Sequence, residues 1–253
     1  MSSWPYLTEE LNHWRDNGAT ATFWWRDDDA VEPTQKLENI LNLALNTPLA
    51  FAVIPARATK TLAEKLREYP AVAVLQHGWN HKNWDPKGNN EYPANRSKND
   101  ISQELARGRV RLEALFGPQF MPVFVPPWHA FDHKFLPLLP QNGLCWISRK
   151  GPRAEINVTN GLRQINVHVP LIAWSDPPSF NNEDFYLEKI VRHLRGRRLG
   201  LLDASEPTGL LTHHLVQNNP SYDFISKLIE KTSDNPAAAW LNPRKLFAVH
   251  FSV

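Results

Sequence analysis

What most constrains this chain is the regular alternation of short apolar runs with segments of helical period, from near its start to its end. Apolar runs fall at 20–26 (TATFWWR), 48–54 (PLAFAVI), 71–76 (AVAVLQ), 120–125 (FMPVFV), 144–148 (LCWIS) and 165–171 (INVHVPL). Two more fall within the 199–212 region and at 246–251. Several are unbroken apolar stretches rather than strict alternations, the pattern of strands covered on both faces. Helical patterns lie between them, near 34–46, 58–69, 101–116, 182–194 and 221–232. The 101–116 helix is the best marked. Asp100 is placed to cap it with Gln103 reaching back, Ile101, Leu105, Leu112 and Leu115 give it an apolar face, and Gly117-Pro118 ends it. Strand–helix–strand repetition of this kind predicts an α/β fold on a mostly parallel sheet, open or closed into a barrel.

At 253 residues the chain suits one large domain spanning 1–253. The polar, turn-rich stretch at 84–98 (WDPKGNNEYPANRSK) reads as a surface loop inside that domain. A single cysteine, Cys145, excludes an internal disulfide framework and a cysteine-clustered zinc site. A net charge of +2 leaves no electrostatic footprint for nucleic acid or an anionic membrane. No run of 18 apolar residues is present, and the opening MSSWPYLTEELNHWRD lacks the pattern of a signal peptide. A soluble, cytoplasmic protein is therefore expected. Ten tryptophans are far more than composition alone explains.

Chemistry concentrates where apolar runs end. Arg26-Asp27-Asp28-Asp29-Ala30 follows the first run. Adjacent carboxylates repel unless a cation offsets them, so the run is either a solvated acidic turn or the edge of a cation site. His77-Gly78-Trp79-Asn80-His81 follows the third run, with two imidazoles four residues apart that can face one metal. Two histidines and one carboxylate make a three-ligand set with open positions. Leu210-Leu211-Thr212-His213-His214 ends a late run; it is a core-edge histidine pair or a source of a general acid. Phe124-Val125-Pro126-Pro127-Trp128-His129 ends another, as a rigid turn or a groove wall. Strand ends are where barrels and open parallel sheets carry their sites, which favours function for each.

Taken in order, these motifs resemble the polysaccharide deacetylases, the NodB-homology domain of carbohydrate esterase family 4, over about residues 20–215. The resemblance implies a distorted (β/α) barrel of about seven parallel strands and a divalent metal, most often zinc. It also implies hydrolysis of an N- or O-acetyl group on a sugar. The family's acidic motif reads Thr-Phe-Asp-Asp-Gly, a general base followed by a metal ligand. Aligning Asp28-Asp29-Ala30 with Asp-Asp-Gly makes Asp28 the base and Asp29 the ligand, and is preferred. Sliding back one residue makes them Asp27 and Asp28. His77 and His81 match the metal pair, and His213 matches the general acid.

The chain also departs from the family. Val125 stands where the groove motif carries an arginine that orients the base, and Arg26 is positioned in sequence to supply that charge. His129 replaces a glycine. The aspartate of a fourth motif finds only a weak counterpart at Trp174-Ser175-Asp176. In the implied scheme Asp29, His77 and His81 hold the metal, Asp28 takes a proton from water, and His213 protonates the leaving group. Trp79, Pro127 and Trp128 line the substrate site, and several tryptophans are expected around one mouth. The same residues would serve a cytosolic C–N hydrolase of a small amide, and a silent carbohydrate-binding barrel is a third reading.

Overall fold

The structure is a computed structural model that describes residues 3–248. In chain order it runs α1 (Trp4–Asp16), β1 (Ala21–Ala30), α2 (Gln35–Leu43), β2 (Ala50–Val53), α3 (Lys60–Arg67), β3 (Ala73–His77), α4 (Lys98–Phe116) and β4 (Phe120–Val125). Then follow α5 (Leu138–Gln141), β5 (Trp146–Ile147), β6 (Asn157–Thr159), β7 (Leu162–Gln164), β8 (Val169–Pro170), α6 (Glu183–Arg198) and β9 (Thr208–Thr212). The last elements are α7 (Asn219–Ser233), β10 (Ala238–Trp240) and α8 (Pro243–Leu246). Among the described residues no helix is long and apolar enough to cross a membrane.

The strands join into one sheet in the order β6-β7-β5-β4-β3-β2-β1-β9-β8, all parallel except the β6–β7 hairpin. β10 adds in parallel to the start of β1. β7 and β8 belong to one extended segment. Its first part bonds to β5 and beyond, through Ile165 N–H to Ile147 O and Val167 N–H to Arg149 O. Its last part bonds to β9, through His168 N–H to Gly209 O and Leu171 N–H to Leu211 O. Counting that segment once, hydrogen bonds pass round seven staves, with the seam between β5 and β9 the distorted part. This is a (β/α) barrel of the kind expected.

The core divides accordingly. Trp24, Ala50, Ala52, Ala73, Leu75, Val123, Val125, Trp146, Val167 and Leu211 form one cluster. They are alternate residues of successive strands, so they fill the barrel interior. A larger cluster, including Trp25, Phe51, Val74, Phe124 and Leu210, packs the opposite strand faces against the helices. Gly209 shows how tight the interior is: a Cβ there would lie 2.5 Å from Trp24 Nε1, which donates to Asn166 O.

Several boundaries differ from the sequence reading. α4 starts earlier, and Ser97 rather than Asp100 is its cap. The 246–251 run is not a strand where it can be described: α8 ends at Leu246, Phe247 plugs the barrel interior, Ala248 has no regular structure, and 249–251 lie outside the described residues. Only Thr208–Thr212 of the 199–212 region is strand. α1 and the β6–β7 hairpin were not foreseen.

Candidate active site

Four strand ends open onto one cavity of about 620 Å³. β1 delivers Asp28 and Asp29, β3 delivers His77 and the loop to His81, β4 leads into the Pro127–His129 turn, and β9 leads to His213. Asp28, Asp29, His77, His81, Trp128, His129, Lys150, Trp174 and His213 all line it. Among the described residues the non-glycine positions with positive φ are Asp29, His81, Trp128 and His129, at 73°, 54°, 53° and 61°. Left-handed backbone is costly for such side chains. All of it is gathered at this mouth.

The period of the strand sorts the acidic run. Asp28 points inward with Arg26, and Asp27 points outward. Arg26 Nε–H and Nη2–H donate to the two Asp28 oxygens at 2.7 and 2.9 Å, and Nη1–H donates to Ser148 Oγ at 2.7 Å. Burial pushes the Asp28 carboxyl up, but Arg26, His77, His213 and His129 outweigh it and hold the group below its ordinary value. The positive charge that Val125 cannot supply therefore comes from Arg26. Asp27 joins a separate buried cluster, accepting from Thr212 Oγ1–H at 2.6 Å and lying 2.5 Å from His214 Nδ1. Among the described residues its hydrogen-bond and ion-pair partners are Thr212 and His214, not His77 or His81.

Asp29, His77 and His81 converge. Asp29 Oδ1 is 3.1 Å from His77 Nε2 and 3.4 Å from His81 Nε2. His77 Nδ1 lies 3.0 Å from Val125 O, which can only accept, so Nδ1 carries a proton. In the neutral ring Nε2 then presents its lone pair toward Asp29, and two acceptors that close require a proton or a cation between them. Burial tends to lower the His77 pKa, yet Asp29 and Asp28 raise it overall. Burial and His77 lower that of His81. Burial opposes ionisation of Asp29 as well, but the His77 hydrogen bond and the surrounding histidines depress its pKa. The donor set is one that suits a divalent metal.

The His77–His81 loop is braced from below. Glu91, buried in the otherwise polar 84–98 loop, accepts Asn80 N–H at 2.8 Å and Trp79 N–H at 3.3 Å. Burial raises its pKa against those bonds. Gly78, at φ +57°, admits it: a Cβ there would lie 2.0 Å from Glu91 Oε2. Glu91 carried no motif and the sequence reading missed it.

The expected substrate residues separate. Trp128 lines the cavity and packs on His81, ring centroids 4.2 Å apart. Trp79 does not line it; its ring lies 4.5 Å from the Arg107 guanidinium on α4. Pro127 is buried behind the loop, against Gly78. Trp174, 63% exposed, meets the His213 ring edge-on at 4.9 Å. Asp176 is exposed, and His213 Nδ1 has no hydrogen-bond partner among the described residues. Of the tryptophans expected around the mouth, Trp128 and Trp174 are there, whereas Trp24, Trp25 and Trp146 are core. His129, half-buried at the cavity, is held neutral, its pKa lowered to about 3 by desolvation and then by the Arg26 charge.

No protein-family model matches this sequence, and no curated protein is similar in sequence. Solved structures are similar in fold. A Mycobacterium smegmatis protein described as a polysaccharide deacetylase superposes with TM-score 0.71 at 14% identity, over 90% of this chain and 89% of that one. The Bc1960 peptidoglycan N-acetylglucosamine deacetylase gives 0.58 at 14%, over 90% and 88%. A Streptococcus mutans esterase of carbohydrate esterase family 4 gives 0.57 at 14%, over 89% and 87%. The chain has the fold of these polysaccharide deacetylases.

Proposed function

We propose that this protein is a metal-dependent hydrolase that removes an acetyl group from a carbohydrate. The observation that supports the reading most is the convergence of Asp29, His77 and His81 beside an arginine-paired Asp28. The deacetylases that share the fold supply the substrate class. Two imidazoles and a carboxylate suit zinc. A divalent ion bound by these three would polarise the acetyl carbonyl and lower the pKa of water.

The chain's own groups account for the proton traffic. Asp28, kept ionised by Arg26, accepts the proton of the attacking water. His213, which lines the same cavity, donates to the departing amine or alkoxide. Arg26 is anchored on Ser148, so the carboxylate it grips is oriented before substrate arrives. Trp128 and Trp174 both line the cavity and offer apolar ring surface to a sugar.

The test is acetate release from N-acetylglucosamine oligomers by the zinc-loaded protein, set beside a panel of small amides. Turnover of the oligomers supports the proposal. Turnover confined to small amides transfers the same residues to C–N hydrolysis, and binding without turnover leaves a carbohydrate-binding barrel.

A further inference from the structure

A second cavity, of about 510 Å³, lies near the start of β9 and the end of α6. Its polar lining includes two imidazoles that the proposed hydrolysis does not use. His168, just before β8, and His193, on α6, stack with centroids 3.6 Å apart. His193 is 6% exposed, and its Nε2 has no hydrogen-bond partner among the described residues.

With Glu206 these imidazoles form a three-residue cluster whose ligand atoms lie within 4.8 Å of one another, which first suggests a metal. The hydrogen bonds oppose it. Gly209 N–H donates to His168 Nδ1 at 2.9 Å, so in the neutral ring the proton sits on Nε2. That nitrogen faces Glu206 Oε2 at 3.2 Å and has no lone pair for a cation. Glu206 already accepts the backbone N–H groups of Arg153 and Asn166 at 2.8 and 2.9 Å. Thr208 Oγ1 accepts Arg197 Nη1–H at 3.1 Å and lies 2.9 Å from His193 Nδ1. Thr208 Oγ1 already accepts from Arg197, and its own hydroxyl proton finds an acceptor when it is directed to His193 Nδ1. His193 Nε2–H is then a donor without an acceptor.

The surroundings select what it would bind. Lys189, Arg192 and His193 follow helical spacing along one stripe of α6, so cations and imidazole share a face. Arg195 is drawn toward Glu10, but Arg192 has no ion-pair partner among the described residues. Leu199 and Leu201, 55% and 76% exposed, give the cavity an apolar wall. A donor, an unpaired cation and exposed leucines around one concavity suit an acceptor anion with an apolar body.

We propose that this cavity binds a small amphipathic carboxylate, its oxygens on His193 Nε2–H and Arg192 and its chain against Leu199 and Leu201. The probe is octanoate, followed through the imidazole resonances of ¹⁵N-histidine-labelled protein. Saturable movement of the His193 signals is expected. Octanol, which lacks the charge, and inorganic phosphate, which lacks the chain, should bind at least about tenfold more weakly. Arg192→Glu, on the helix surface, should weaken octanoate about tenfold or more with the circular dichroism unchanged, whereas His77→Ala should not affect it. Failure here is thus separable from failure of the hydrolase reading. His193 signals unmoved by octanoate, phosphate binding as tightly as octanoate, or zinc uptake that survives His77→Ala and depends on His193 would each overturn the proposal.

Discussion

Arg26 and Asp28 lie two residues apart on one strand and close a two-pronged ion pair inside the barrel, at 2.7 and 2.9 Å. Strand period puts both on the inner face, and the charge pair is fully buried. Arg26→Met leaves an uncompensated buried carboxylate. It should cost about 3–5 kcal/mol of stability in chemical denaturation and abolish a usable base. Adding Val125→Arg supplies the cation from β4, the next strand but two, and should recover at least about tenfold in kcat/KM over Arg26→Met. No recovery would mean that only a cation on β1 can hold Asp28.

The two registers of the acidic run make opposite predictions. Asp27 is bonded to Thr212 and His214 on the outer face. Asp27→Asn should lower stability by about 1–3 kcal/mol while keeping metal uptake and turnover within about tenfold of wild type. Asp28→Asn should retain the metal and lose about 10²–10⁴ in turnover. Loss of metal on Asp28→Asn with turnover lost on Asp27→Asn would reverse the assignment.

Glu91 tests whether the loop between the two histidines is held by its amide contacts. Glu91→Ala removes the acceptor of the Asn80 and Trp79 N–H groups. Zinc affinity, read by competition with a chromophoric chelator, should fall about 10–100-fold. Glu91→Gln keeps an acceptor oxygen and should lose less. Equal affinity in Glu91→Ala and wild type would make the bond incidental.

Buried neutral histidine should set an acid limb on stability. Burial, then His168 and Arg197, lowers the folded pKa of His193 to about 2, against about 6.5 for a free imidazole. Above about pH 6.5 neither state carries the proton, and the neutral ring's contribution is fully present. As pH falls through that value the unfolded chain takes up the proton first, so stability declines towards the folded pKa. The loss reaches at most about 2 kcal/mol by about pH 5. Urea midpoints at about pH 7.5 and 5 should show a shallower dependence for His193→Gln than for wild type. Parallel slopes would contradict the burial argument.

Much of the barrel is readable in the sequence because strands covered on both faces become unbroken apolar runs; 120–125 is both the run and the strand β4. The site is readable for a related reason, since each reactive residue follows such a run. What was missed lacks that local mark. α1 buries Trp4, Leu7, Leu11 and Trp14 on one face, but its remaining residues are mostly polar and no apolar run precedes it to mark a strand–helix unit. β6 and β7 are short and partly exposed, and only Asn160-Gly161 announces their turn. Trp79 was assigned to the cavity from its place between two histidines, but Arg107 on α4 draws the ring away. Glu91 gains its role from the backbone amides of Trp79 and Asn80 in another loop, and no spacing rule reports it.

The central claim is that Asp29, His77 and His81 hold a divalent ion that Asp28 needs for acetyl hydrolysis. Acetate release from an N-acetylglucosamine oligomer should vanish when the protein is stripped with chelator. It should return in proportion to added zinc up to about one equivalent per chain, the stoichiometry of a single three-ligand site. Asp28→Asn, titrated alongside, should take up the same equivalent and release no acetate above background. Acetate release that persists without metal, or that Asp28→Asn leaves intact, would contradict the account.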